Sequence, residues 1–294
     1  MTKIGLVVEG GGMKCAYSAG ILDCFLNNDI NFDYCIGVSA GSANSASFLA
    51  KQKERNLRFY TQHVKDPEYI SIQNYLLHGE IFGLDYIYGK LSNSDGKDPL
   101  DYQVLNDNPC EFEMVATSAE TGKPIYFNKR DLRKDNYTPI MASSALPVFC
   151  NPVTFLGKEY FDGGISDAIP FQRALKQGCD KVVVLLSKPR SFVKKPEAHK
   201  SIYSRVLKKY PKIIKDIDRR HIMYKNEIAK LKRLEAEGKL FVFAPSKNIK
   251  LDTFASDPVG EQKLYDLGLK DYDLRKEKLF RFLGYEDVPL SELA

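Results

Sequence analysis

Along the first half of the chain, short apolar runs alternate with segments whose apolar residues recur at helical spacing. Ile4 to Val8 carries no charge and predicts a strand buried on both faces. Three glycines close that run, and a helix is predicted from about Cys15 to Asn27, with Ala16, Ala19, Leu22 and Leu26 on one face. Phe32 to Val38 predicts a second strand, and a small-residue helix begins near Ala40. Glu111–Thr117, Lys181–Ser187 and Leu240–Phe243 read as further strands, and the Thr121–Pro124 turn gives Glu111–Thr117 a partner at Ile125–Phe127. Helical segments follow from about Asp257 to Phe282. Strand, helix, strand, helix at this spacing predicts an α/β fold, a mainly parallel sheet sandwiched by helices with right-handed crossovers.

Two regions break the rhythm. Tyr69 to Leu91 is rich in Tyr, Ile and Leu, reads either as core or as an apolar cap, and gives way to a polar loop, Ser92 to Pro99. Lys188 to Arg233 has an excess of basic residues and reads as two long helices. No repeat or low-complexity linker separates these parts. Residues 1–294 are therefore expected to form one domain with helical insertions at about 51–110 and 188–237.

Composition narrows the class without naming it. Hydrophobic residues at 44% and charged residues at 28% exclude a disordered or collagen-like chain. A net charge of +5 favours anionic surfaces but is too small to indicate nucleic acid, and no nucleic-acid motif is present. The opening residues lack the apolar core and cleavage site of a signal peptide, and no run reaches the roughly 20 apolar residues of a membrane span. The cysteines Cys15, Cys24, Cys35, Cys110, Cys150 and Cys179 are scattered without a C-x-x-C pair, so reduced thiols in a cytoplasmic protein are expected, with neither disulfides nor a metal site.

The sharpest chemistry is Gly37-Val38-Ser39-Ala40-Gly41, a G-x-S-x-G placed after a strand and before a helix. Glycines flank the serine because a strained strand-to-helix turn leaves no room for side chains. The turn also sets the hydroxyl at a helix N-terminus, where backbone N–H groups favour negative charge. Gly10-Gly11-Gly12 ends the first strand. Cys15 occupies the third glycine position of a dinucleotide fingerprint, and no P-loop lysine follows. In a parallel sheet this loop can reach Ser39 at the carboxyl edge, where its amides would form an oxyanion hole. For the base, His63, His78, His199 and His221 all fall in polar helical or irregular stretches, whereas Phe161-Asp162-Gly163-Gly164 puts a carboxylate before two glycines.

Glu9-Gly10-Gly11-Gly12-Met13-Lys14, Gly37-Val38-Ser39-Ala40-Gly41 and Asp162-Gly163-Gly164, in this order, resemble the patatin-like phospholipases. The resemblance continues at Ala116-Thr117, Ala142 to Pro147, Val182 to Leu186 and Tyr265 to Gly268, and looks closest to the small stand-alone bacterial members. It implies a Ser–Asp dyad hydrolase of lipid acyl esters that needs no cofactor, histidine or metal. Ser39 would be the nucleophile and Asp162 the proton acceptor. The amides of Gly11, Gly12 and Met13 would form the oxyanion hole, with Gly10, Lys14, Gly37, Gly41, Gly163 and Gly164 as support and Lys14 anchoring the loop. Cys15 departs from the family, which has glycine there. At the start of a helix its thiol is expected either to ionise easily or to be a small buried group.

Three function classes stay open at this point: a lipid acyl hydrolase, a conventional Ser-His-Asp esterase, and a weakly active or non-catalytic lipid-binding or regulatory protein. The expected partners are a lipid or acyl-ester substrate and, through the basic region, the periphery of an anionic membrane.

Overall fold

The computed structural model describes residues 2–251 and 256–285. One sheet holds β1 (Ile4–Val8), β2 (Tyr34–Val38), β3 (Glu111–Ser118), β4 (Pro124–Asn128), β5 (Val153–Phe155), β6 (Lys158–Asp162), β7 (Lys181–Leu185) and β8 (Leu240–Phe243). The hydrogen-bonded order is β5-β6-β3-β2-β1-β7-β8, with β4 also on β3. Strands β3, β2, β1, β7 and β8 are parallel to one another, while β4 and β6 run antiparallel to β3 and β5 antiparallel to β6. The helices are α1 (Ala16–Asn27), α2 (Ala40–Leu49), α3 (Arg55–Thr61), α4 (Ile72–His78), α5 (Tyr102–Asp107), α6 (Thr138–Ser144), α7 (Phe171–Lys176), α8 (Lys200–Val206), α9 (Pro211–Ala236), α10 (Pro258–Asp273) and α11 (Lys276–Leu283).

The period-2 alternation of a strand sends successive side chains to opposite faces, and both faces here are covered. Leu6, Val8, Cys35, Leu185 and Phe243 point into a core shared with α1, α2, α10 and α11. Val7, Ile36, Val38, Val184 and Val242 point into the other, closed by Phe171 and Ala174 of α7 and by Tyr224, Leu231 and Leu234 of α9. The chain is an α/β protein with a mixed, mostly parallel sheet between helices.

One detail of register decides where the chemistry sits. Glu113 pairs with both Ile36 of β2 and Asn128 of β4, so these strands occupy opposite edges of β3. Ala116 pairs with both Ile125 of β4 and Asp162 of β6, which puts β6 on the β2 edge. Since β2 is last paired at Val38 with Val115, the carboxyl ends of β2 and β6 meet head to head along one edge of β3.

Two expectations need correction. Lys188 to Arg233 is not two long helices: residues 188–199 are non-helical, α8 is short, and only α9 is long. Pro189 and Pro196 remove helix donors in the first segment, and Pro211 restarts the helix at its first position. Tyr69 to Leu91 is neither all core nor all cap. Tyr69, Ile70, Leu84, Tyr86, Ile87 and Leu91 are buried, whereas Ile72, Tyr75, Leu76 and Leu77 on α4 are exposed. No described helix is long and apolar enough to cross a membrane.

Candidate active site

Ser39 follows β2 directly and has φ 55° and ψ −131°, a left-handed conformation rare for a residue with a side chain. The fold tolerates it because neighbouring positions carry no Cβ. A Cβ on Gly41 would stand 2.4 Å from the Val8 carbonyl oxygen, and one on Gly10 would stand 2.9 Å from the Ser39 Cβ. The Gly10 loop therefore passes in contact with Ser39, as expected for loops at one sheet edge. Gly37 is buried at the end of β2 on the other side of the turn.

Buried Ser143, at the end of α6, ties the turn down. Its Oγ accepts from the Ser39 N–H at 2.9 Å, lies 2.9 Å from the Ser42 Oγ, and donates to the Val115 carbonyl at 2.6 Å. Ser143→Ala leaves the Ser39 N–H and the Val115 carbonyl without this partner, so a loss of about 1–3 kcal/mol is expected. Urea unfolding of the variant, alongside turnover, checks this; a wild-type midpoint would mean that Ser143 does not support the turn.

Asp162 ends β6 beside that turn and is 4% exposed. Its N–H donates to the Ala145 carbonyl at 2.8 Å, its carbonyl accepts from Thr117 Oγ1 at 2.8 Å, and Oδ1 accepts from the Gly164 N–H at 2.7 Å. Burial raises the carboxyl above the ordinary range, and the Ser39 hydroxyl, the Arg220 charge, the Gly164 N–H and Lys188 pull it partly back. The structure thus brings Ser39 and Asp162 together. Gly163 and Gly164 form the first turn after the carboxylate, and both are buried.

Gly12, Met13, Lys14 and Cys15 make a 3₁₀ turn, with Gly11 as its N-cap and Gly12 at φ 55°. Among the described residues the N–H groups of Gly11, Gly12 and Met13 donate to no protein acceptor. These residues, Lys14, Ser39 and Asp162 all line one cavity of about 680 Å³, a size suited to a small-molecule ligand. Its buried lining combines apolar and aromatic residues, including Phe59, Tyr60, Tyr69, Ile87, Leu100 and Ile140, with the buried polar residues Asn44, Arg55, Asn56 and Ser92.

The low-pKa reading of Cys15 is overturned. The side chain is fully buried, its Sγ approaches the Glu9 carbonyl at 3.4 Å, and burial reinforced by Glu9 pushes the thiol up to about 12. All six cysteines are buried and free. An aromatic disulfide reagent should titrate none of them until the protein unfolds, and peroxide should leave turnover unchanged. Rapid reaction of Cys15 in the folded protein would contradict this.

Of the four histidines, only His199 lines the cavity. His63 lies 3.0 Å from Asp98, but that carboxylate is held by a cationic cluster: burial alone would raise it, while Arg58, His63 and Arg55 bring it well below the usual range.

Sequence reasoning gave no role to several residues of the site. Glu9, 1% exposed at the end of β1, accepts from the Ser187 N–H at 2.7 Å, Lys188 Nζ at 2.6 Å and the Tyr224 hydroxyl at 3.0 Å. Arg220 Nε donates to the Gly164 carbonyl at 2.7 Å. Lys188 was legible as the residue following a strand at the carboxyl edge. Arg220 and Tyr224 share a face of α9 at i, i+4, but nothing local says which face turns inward.

Residues 6–175 match the family model of patatin-like phospholipases, and residues 210–284 match a domain of unknown function, DUF6363. The uncharacterized protein YjjU of Escherichia coli (strain K12) is 31% identical over 201 residues, which are 66% of this chain and 55% of that protein. The chain thus spans little more than half the length of that relative. The crystal structure of VipD from Legionella pneumophila superposes with a TM-score of 0.44 at 12% identity, covering 93% of this chain and 66% of that one. With its matched region spanning more than half of its length, the chain belongs to the patatin-like phospholipase family.

Proposed function

We propose that the chain, read as one catalytic unit over residues 1–294, is a serine hydrolase of lipid acyl esters that works through a Ser39–Asp162 dyad. The observation that carries this reading is the strained Ser39 beside a buried carboxylate whose proton affinity is raised. Asp162 takes the Ser39 proton as Oγ attacks the ester carbonyl, and the N–H groups of Gly11, Gly12 and Met13 receive the developing oxyanion. Collapse of the tetrahedral intermediate breaks the bond to the alcohol, which leaves with the proton from Asp162. Water, deprotonated by the same carboxylate, then attacks the acyl-serine, releases the fatty acid and returns the proton to Ser39. The apolar and aromatic part of the cavity lining suits an acyl chain.

Lys14 would hold the oxyanion loop in place. The exposed apolar residues of α4 and the basic residues after β7 suit a cytoplasmic protein that meets an anionic membrane at its periphery. The test is fatty-acid release from a mixed phospholipid and glyceride extract, followed by mass spectrometry. The wild type should release free acids and Ser39→Ala none above background. A conventional triad would need His199, so His199→Ala is the control. Loss of release in that variant with retention in Asp162→Asn would replace the dyad by a triad.

A further inference from the structure

The cavity wall that leads away from Ser39 along α2 is not uniformly apolar. Ser39 caps α2, and Ala40, Ala43, Asn44 and Ala46 of that helix line the cavity, so this wall follows α2 towards its carboxyl end. Two buried polar side chains mark distance along it. Asn56 Nδ2 donates to the Asn44 carbonyl at 3.1 Å, and Arg55 Nη1 donates to Ser47 Oγ at 2.9 Å. Asn44 and Ser47 stand five and eight residues beyond Ser39, which is about 8 and 12 Å at the rise of an α-helix.

On this wall, polar atoms that face the cavity lack partners. Asn56 is 5% exposed and Tyr69 6%, and both line the cavity. Among the described residues Asn56 Oδ1 accepts no hydrogen bond and the Tyr69 hydroxyl makes none. Neither atom is sealed inside the protein, in contrast to the unpartnered Arg55 Nε. Burial raises the Tyr69 phenol well above its usual value and the Arg55 charge pulls it partly back, which sets the hydroxyl in the field of Arg55. That charge is itself met by Asp98 Oδ1, 3.6 Å from Nε, so what the wall leaves unmet is hydrogen bonding. A plain methylene chain laid here would strip water from an amide oxygen and a phenol without replacing it, which is costly. A hydroxyl on the chain offers a donor to the first and an acceptor to the second.

We infer that Tyr69 and Asn56 form a subsite for an oxygen on the acyl chain, a hydroxyl in the first instance, about 8–12 Å from Ser39. At roughly 1.25 Å per carbon of an extended chain, from 1.52 Å bonds near the tetrahedral angle, that is about six to ten carbons beyond the ester carbonyl. The inference rests on the hydrolase reading above and names the substrate class as esters of mid-chain hydroxylated acids.

The test compares kcat/KM for the glycerol monoesters of octadecanoic, 3-hydroxyoctadecanoic and 10-hydroxyoctadecanoic acids in the same neutral detergent micelles. The wild type should favour the 10-hydroxy ester over the unsubstituted one about tenfold and the 3-hydroxy ester not at all. Tyr69→Phe and Asn56→Leu should each lower that ratio about fivefold, the scale of one neutral hydrogen bond. Tyr69→Phe removes a hydroxyl that holds no described residue, so it folds even if Asn56→Leu, which loses the bond to Asn44, does not. Displacement of a fluorescent fatty acid from Ser39→Ala protein by the free acids needs no turnover. There 10-hydroxyoctadecanoic acid should compete better than octadecanoic acid, and adding Tyr69→Phe should erase most of the difference. Ratios within twofold of one in the wild type, or a preference that Tyr69→Phe does not change, would overturn the subsite and leave the hydrolase reading intact. Equal preference for the 3-hydroxy ester would overturn its placement along α2. A binding preference that responds to Tyr69→Phe, in a protein whose wild type hydrolyses none of the esters, would uphold the subsite while refuting the hydrolase reading.

Discussion

Asp162→Asn is expected to cost about 10³- to 10⁴-fold in kcat/KM and yet to make the protein more stable at neutral pH. The rate loss follows from removing the base that accepts the Ser39 proton. Asparagine keeps an oxygen for the Gly164 N–H, so the turn after β6 should persist. The gain in stability follows from the sign of the shift. Burial raises the Asp162 carboxyl in the folded protein above its unfolded value near 3.9. A group shifted in that direction favours folding below the unfolded pKa and loses this contribution as pH rises through the folded one. At pH 7 the ionised carboxylate is thus a net cost that asparagine lacks. The expected gain is about 1 kcal/mol, or roughly 2–4 °C in melting temperature. It should shrink as pH falls towards 4. Melting curves at pH 7 and pH 4.5 with matched assays check both halves, and a variant less stable at pH 7 would refute the assignment of Asp162 as a buried, strained base.

Lys188→Met should be among the most destabilising single changes outside the apolar cores, at about 3 kcal/mol or more. It leaves the Glu9 carboxylate, whose side chain is 2% exposed, without the ammonium 2.6 Å away. Removing one partner of a buried pair typically costs 3–5 kcal/mol, roughly the scale expected here. Ser187 and Tyr224 still donate to Glu9, which holds the loss to the lower end of that range. Because Glu9 precedes Gly10, the damage should reach the oxyanion loop and lower turnover as well. The comparison variant is Lys90→Met: Lys90 meets Glu68 at 2.5 Å, but both side chains are more than half exposed, so the change should cost no more than about 1 kcal/mol. Denaturant midpoints of the two variants decide the matter. Equal midpoints would mean that the Glu9 pair does not hold the ends of β1 and β7 together.

What was legible in the sequence was what backbone geometry forces into contiguous residues. Gly10, Gly37 and Gly41 had to be glycine because other backbone passes within contact distance, and that need leaves a local signature around Ser39. The parallel sheet was legible because strands buried on both faces are continuous apolar runs. Asp162 was visible through the glycines after it, but not its proximity to Ser39. That proximity depends on β6 arriving antiparallel on the same edge of β3 as β2, and a strand as polar as Lys158–Asp162 does not announce it. Ser143 lies in a segment that carries the family resemblance and Lys188 follows a strand at the carboxyl edge, but neither pattern gives the partner it meets; Arg220 and Tyr224 reach the site through tertiary packing of α9, and no local pattern marks them. The prolines at 189 and 196 did carry the signal that residues 188–199 are not helical, and the density of lysine and arginine around them masked it.

The central claim is that Ser39 is a nucleophile activated by Asp162. Its most direct test is the intact mass of wild-type, Ser39→Ala and Asp162→Asn protein after incubation with an alkyl fluorophosphonate. The account predicts one phosphonyl adduct on the wild type, none on Ser39→Ala, and labelling slowed by orders of magnitude in Asp162→Asn. An unlabelled but folded wild type, or an Asp162→Asn variant labelled at the wild-type rate, would contradict it.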